Sequence, residues 1–200
     1  FPSMFSLTKT QEILEQTTIA TGSQHVAWTP KGAYTGAVSA EMVKDVGAAY
    51  TLVGHSERRH IFGETNADVR KRLEAALEAG LIPVLCIGET KEDLDAGRRK
   101  ERLKKQLTTA LEKLDMGDKK IYIAYEPVWA IANSGDGTPC LPSDAADVHE
   151  WIKQELEAYG LEKTPLLYGG SVNAENVVSY ISLDSVDGVL VGGASSKYSD

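Results

Sequence analysis

The chain has 200 residues, 42% hydrophobic and 25% charged, a balance that suits one globular domain and excludes disorder as the default state. A net charge of −8 argues against a nucleic-acid or anionic-membrane surface, while leaving room for a local site that takes a small anion. Two cysteines without a paired pattern, Cys86 and Cys140, read as free thiols of a reducing cytoplasm, and no stretch is long and apolar enough for a membrane span.

In chain order, the residues alternate between helix-like and strand-like segments, the pattern of an α/β fold with a parallel sheet. A first helix is expected over about 6–16, a short strand at His25-Val26-Ala27-Trp28, a loop from Thr29 to Ser39 and a helix over about 40–47. The strand Tyr50 to His55 then runs into Ser56-Glu57-Arg58-Arg59, which reads as a helix start. Asn66 is expected to cap a helix with Val69, Leu73, Ala76 and Leu77 inward and Gly80 just past its end. After the strand Ile82 to Glu89, Thr90 and Asp93 resemble a capping box, and Leu103, Leu107, Leu111 and Leu114 form the buried stripe of one long helix. A strand over 121–126, a helix with Val148, Ile152 and Leu156 inward, a strand over 166–170, a short helix near 174–182 and a strand over 188–193 complete the series.

About six apolar strands result, and their chemically distinctive residues share one address. Trp28, His55, Glu89, Glu126, Gly170-Ser171 and Gly192-Gly193 all fall at C-terminal strand ends, where a β/α barrel carries its active site and an open doubly wound sheet its ligand crevice. Glu126 alone reads most simply as a solvated acid. However, Pro127-Val128-Trp129 makes a stiff hinge and residues 130–142 form a stretch long enough to cover the site, and a shielded carboxylate is a stronger base. His55 stands before a helix start, whose positive end disfavours a second proton and leaves a neutral imidazole able to donate to a carbonyl. Gly169-Gly170-Ser171-Val172 and Val191-Gly192-Gly193-Ala194-Ser195 end the last two strands, and two such glycine turns beside short helices suit a phosphate. The basic run from Arg98 to Lys105 reads as a solvated helix face, and His25, His60 and His149 lack metal-ligand spacing.

Gly54-His55-Ser56-Glu57-Arg58-Arg59, Ala124-Tyr125-Glu126-Pro127-Val128-Trp129-Ala130-Ile131, Tyr168-Gly169-Gly170-Ser171-Val172 and Val191-Gly192-Gly193-Ala194-Ser195 together resemble the triosephosphate isomerase family over essentially the whole chain. The resemblance implies a (β/α)8 barrel in which Glu126 abstracts a carbon-bound proton and His55 polarises the substrate carbonyl. It further implies phosphate contacts from Ala132, Ser171, Gly192 and Gly193, with Glu57, Cys86 and Trp129 in support. Thr35, at the tip of Lys31 to Gly36, is implied to insert into a second copy of the chain, giving a cytoplasmic homodimer that acts on a triose phosphate without nucleic acid, membrane, metal or organic cofactor.

A barrel of this kind has eight strands and roughly 250 residues. Residues 1–200 are therefore expected to be a single barrel domain truncated at both ends, lacking a first strand with its Asn-x-Lys and a last helix, and in isolation poorly folded and nearly inactive. The segment after Ile131 departs from the family's usual Gly-Thr-Gly-Lys, with Ala132 in the place of the first glycine. Two other readings are weighed. A Schiff-base aldolase would need a lysine on a strand, where this chain has Glu126, and a non-catalytic phosphate-binding remnant would need neither His55 nor Glu126.

Overall fold

The computed structural model describes residues 1–131 and 139–197. The chain forms two compact units, one of Phe1–Leu85 with Thr109–Ile121, the other of Cys86–Thr108 with the chain from Tyr122 onward.

In the first unit, helix α1 (Met4–Leu14) precedes strand β1 (Gly22–Ser23), helix α2 (Ala40–Asp45), strand β2 (Tyr50–Val53), helices α3 (Ser56–His60) and α4 (Asn66–Glu78), and the start of strand β3 (Ile82–Ile87). The strands pair in parallel and in chain order, Gly22 opposite Tyr50 and Tyr50 opposite Ile82. Leu7, Val26, Ala40, Val43, Ala48, Ala76 and Leu81 gather in one buried cluster, so the apolar stripes of α1, α2 and α4 close over it.

Two expectations for this unit are corrected. The first strand is Gly22–Ser23 rather than His25–Trp28, where Ala27 makes only an isolated bridge to Ser39. The reason is competition from side chains: Arg72 donates to the Val26 carbonyl at 3.0 Å and lies 4.4 Å over the Trp28 ring, so the apolar run is held by a guanidinium instead of a neighbouring strand. The cap of α4 is Thr65, one residue earlier than expected. Its hydroxyl accepts from the Asp68 N–H while Asp68 accepts from the Thr65 N–H, and Asn66 is instead occupied as an acceptor for Arg59.

The second unit holds the end of β3, helix α5 (Lys91–Asp95), most of helix α6 (Arg99–Leu111), strand β4 (Tyr122–Tyr125), a 3₁₀ turn at Val128–Ala130, helix α7 (Pro142–Glu157), strand β5 (Leu166–Tyr168), helix α8 (Val177–Ile181), strand β6 (Gly188–Val189) and a 3₁₀ turn at Gly193–Ser196. Again all pairing is parallel, Tyr125 opposite Tyr168 and Tyr168 opposite Val189. Val148, Ile152 and Leu156 of α7 are buried, as their spacing predicts. The expected single helix after Thr90 is two helices, because Gly97 turns the chain at φ +68°, a conformation that costs glycine little and other residues more. The last two strands end earlier than expected, at Tyr168 and Val189, and the glycines beyond them form open turns.

Candidate active site

At the exits of the second unit's strands, the tail of β3 and the residues after β4 lie side by side. The Ile87 carbonyl accepts from the Glu126 N–H at 2.7 Å and the Glu89 carbonyl from the Val128 N–H at 3.0 Å. Between these bonds Gly88 presses on Glu126 so closely that a Cβ on it would stand 1.8 Å from the Glu126 carbonyl oxygen. On the other side Gly169 donates its N–H to the Tyr125 carbonyl at 2.7 Å, and a Cβ there would meet the Glu126 Cγ at 2.9 Å. Glu126, only 2% exposed, is thus held at the end of β4 between two glycine backbones. An acid ending a strand is here a buried acid with its stem fixed.

Glu89 organises the hinge after Glu126. It is fully buried, and one carboxylate oxygen accepts from Trp129 Nε1 at 2.7 Å, from the Tyr125 hydroxyl at 3.0 Å and from Arg99 Nε at 3.0 Å. Its other oxygen has no hydrogen-bond partner among the described residues. Burial pushes the Glu89 pKa up, with the Trp129 bond and the Arg99 charge pulling against it, and burial likewise raises that of Tyr125. The 3₁₀ turn at Val128–Ala130 is therefore pinned by a buried ring, Trp129, whose only polar atom is satisfied.

The basic run is more than a solvated face. Arg99 serves Glu89, Arg102 Nε lies 2.7 Å from an Asp93 oxygen and Lys104 lies 3.0 Å from Glu155. Neither Arg99 nor the buried Gln106, whose amide contacts both polar groups of Gly88, was singled out by the sequence, although Gln106 shares the helical face of Leu103 and Leu107.

The glycine turns occupy the next two exits. A Cβ on Gly170 would overlap the Tyr168 hydroxyl, 2.1 Å away, because that ring folds back to stack on Tyr180 with 4.1 Å between centroids. Ser171 is exposed, and its carbonyl accepts from Asn176. One expectation is corrected here. No helix starts directly after the first turn, since Asn173 and Asn176 cap each other's backbone N–H groups and α8 begins only at Val177. At the neighbouring exit Gly192 and Gly193 are exposed with open space where a Cβ would be, and Gly193 opens the last 3₁₀ turn. Ala132 lies outside the described residues.

In the first unit, His55 follows β2 and caps α3. Its Nδ1 accepts from the Glu57 backbone N–H at 3.3 Å, and a nitrogen that accepts an N–H carries no proton, so the ring's proton is assigned to Nε2. The turn into it depends on Gly54, at φ +73°, whose carbonyl accepts from Arg59 Nε at 2.6 Å and whose missing Cβ would meet Arg59 and Val69. The Glu57 carboxylate is 3.8 Å from His55 Nδ1. Thr35 sits on an exposed loop between β1 and α2, and Trp28 stands in the same loop, under Arg72.

Among the described residues no three His, Cys, Asp or Glu side chains are grouped as metal ligands, and no helix is long and apolar enough to cross a membrane.

The family model that matches the chain is that of triosephosphate isomerase, over residues 1–200. The chain is 42% identical over 197 residues to the triosephosphate isomerase of Aquifex aeolicus, covering 97% of this chain and 78% of that one. With the triosephosphate isomerase of Dictyoglomus thermophilum it shares 42% over 201 residues, 98% of this chain and 80% of the relative. With that of Bdellovibrio bacteriovorus it shares 44% over 195 residues, 98% and 79%.

Proposed function

The chain belongs to the triosephosphate isomerase family and is an isomerase of triose phosphates, its six parallel strands being those of an incomplete (β/α)8 barrel, and from that premise we propose that Glu126 and His55 carry the proton transfer. Glu126 takes the carbon-bound proton beside the carbonyl of dihydroxyacetone phosphate and returns it to the neighbouring carbon, giving glyceraldehyde 3-phosphate through an enediolate. His55 donates from Nε2 to the carbonyl oxygen as negative charge develops there and moves protons between the two enediolate oxygens. The backbone N–H groups of Ser171, Gly192 and Gly193 hold the phosphate, and the absence of side chains at the two glycines leaves space for its oxygens. Glu57 and Trp129 support the two reacting groups, the latter through Glu89.

The observation that carries this reading is the burial of Glu126 at a strand exit between Gly88 and Gly169, next to the exits that bear both glycine turns. Shifting a proton between adjacent carbons needs a base whose position is fixed within a fraction of an ångström. The same reading takes residues 1–200 as one barrel domain, with Thr35 reaching into a second copy of a cytoplasmic homodimer. Its support is the family match over that whole range and the exposure of the Thr35 loop.

Glu126→Asp tests the assignment, because it keeps the carboxylate and withdraws it by one methylene. In a coupled isomerase assay on the full natural polypeptide, kcat is expected to fall by well over about tenfold with KM little changed. Unchanged turnover would remove Glu126 from the role of base.

A further inference from the structure

Gln106 belongs to the helical face that faces inward, and it is the polar member of that face: Leu103 and Leu107 beside it are fully apolar and equally buried. A buried amide on an apolar stripe needs partners for both of its ends. Both ends find them on one residue. The Gln106 Oε1 accepts from the Gly88 N–H at 2.9 Å and its Nε2 donates to the Gly88 carbonyl at 3.0 Å. A side-chain amide here takes the place that a neighbouring strand would take, holding one residue by its backbone donor and its backbone acceptor together.

Gly88 is the residue whose backbone lies on the Glu126 carbonyl, with room for hydrogen and nothing larger. Ile87 and Glu89 on either side of it receive the Glu126 and Val128 N–H groups. A displacement of Gly88 therefore moves Glu126 directly. We propose that Gln106 is a positioning residue for the isomerisation, setting the place of Glu126 through its two hydrogen bonds to Gly88; the inference rests on Glu126 being the base. It touches no substrate, and its effect falls on the chemical step rather than on binding, because the phosphate turns lie on other strand exits.

Two substitutions in the full natural polypeptide separate this role from a merely structural one. Gln106→Leu keeps the volume and removes both hydrogen bonds, and is expected to lower kcat by about tenfold or more while KM stays within about twofold. Gln106→Glu reproduces the amide pattern only when protonated, since the acid O–H then donates to the Gly88 carbonyl while the other oxygen accepts from its N–H. The ionised form instead sets a carboxylate oxygen against that carbonyl. The ratio of its kcat to that of the parent is expected to rise as pH falls, and to do so even if Gln106→Leu proves too unstable to assay.

In a Glu126→Gln background, Gln106→Leu is expected to cost little more, because a lever on the base has nothing left to move. Parent-like kcat in Gln106→Leu, a pH-independent ratio for Gln106→Glu, or the full loss repeated in the Glu126→Gln background would each overturn the inference. Glu126→Gln that turns over like the parent would remove the base assignment, and this inference with it. Loss in Glu126→Gln with none in Gln106→Leu would sink the positioning role alone.

Discussion

Gly88 shows how little freedom a single position has when two backbones meet. Its Cα hydrogen occupies the gap to the Glu126 carbonyl, and a methyl group there would sit 1.8 Å from an oxygen that is itself part of the main chain. Neither partner is a flexible side-chain tip that could swing away, so Gly88→Ala must part the tail of β3 from the exit of β4 or distort both. We expect it to cost about 3 kcal/mol or more, above the usual range for a surface change. A urea titration would show this as a lowered midpoint, and a midpoint equal to the parent's would mean that the two backbones can separate cheaply. At this scale the positions of Glu126 and His55 just beyond strands β4 and β2 were legible, and the proposed proton transfer rests on those positions. Glu89 was legible as a position but not as a hub: its three donors come from Arg99, Tyr125 and Trp129, residues 10, 36 and 40 positions away, and nothing local to Glu89 names them.

Among the elements, helix starts were the most readable and the shortest strands the least. Thr65 with Asp68 and Thr90 with Asp93 both form reciprocal capping boxes, because a hydroxyl and a carboxylate three residues apart can satisfy the first free N–H groups of a helix in one way only. The first was misplaced by one residue, since Asn66 is itself a good cap and only its engagement by Arg59 takes it out of competition. Thr65→Ala is expected to cost about 1 kcal/mol by leaving the Asp68 N–H without its acceptor. Its signature is a lower denaturation midpoint with kcat and KM of the full natural polypeptide unchanged, and a loss of activity without loss of stability would contradict it. Strand β1 was unreadable for a physical reason. Gly22 and Ser23 bury no large side chain, and what defines the pair as a strand is its ladder to β2 and the 2.8 Å bond from Ser23 to Thr51. The apolar run His25 to Trp28 offered a stronger pattern and a false one, its backbone and ring being claimed by Arg72.

For the molecule as a whole, two histidines that fold neutral contribute to the acid limb of stability. His149 on α7 is completely buried, and its Nδ1 lies 3.2 Å from the Ser185 carbonyl, which can only accept, so the ring's proton sits on Nδ1. Its Nε2 has no hydrogen-bond partner among the described residues, and the Tyr125 ring packs edge-on at 5.8 Å between centroids. Burial lowers its pKa to about 4, with the Ser185 bond pulling the other way and Lys153 adding to the fall. In the first unit, burial and then Arg72 and Arg58 lower that of His25 to about 4 as well. A depressed folded pKa means that the unfolded chain takes up the proton first as pH drops. The stabilising effect is complete above the ordinary histidine range and is lost as pH falls towards 4. For His149 the interval is worth about 3 kcal/mol, whereas His25, partly open to solvent, contributes less. His149→Gln retains an N–H for the Ser185 carbonyl and carries no titrating group. Its unfolding free energy, measured by urea titration at pH 7, 5.5 and 4.5, is therefore expected to fall less steeply than the parent's. Parallel loss in the two chains across that window would place the acid sensitivity elsewhere. The flattening should appear in stability and leave the pH dependence of kcat alone, because His149 bonds the Ser185 carbonyl from α7 and is not one of the groups proposed to react.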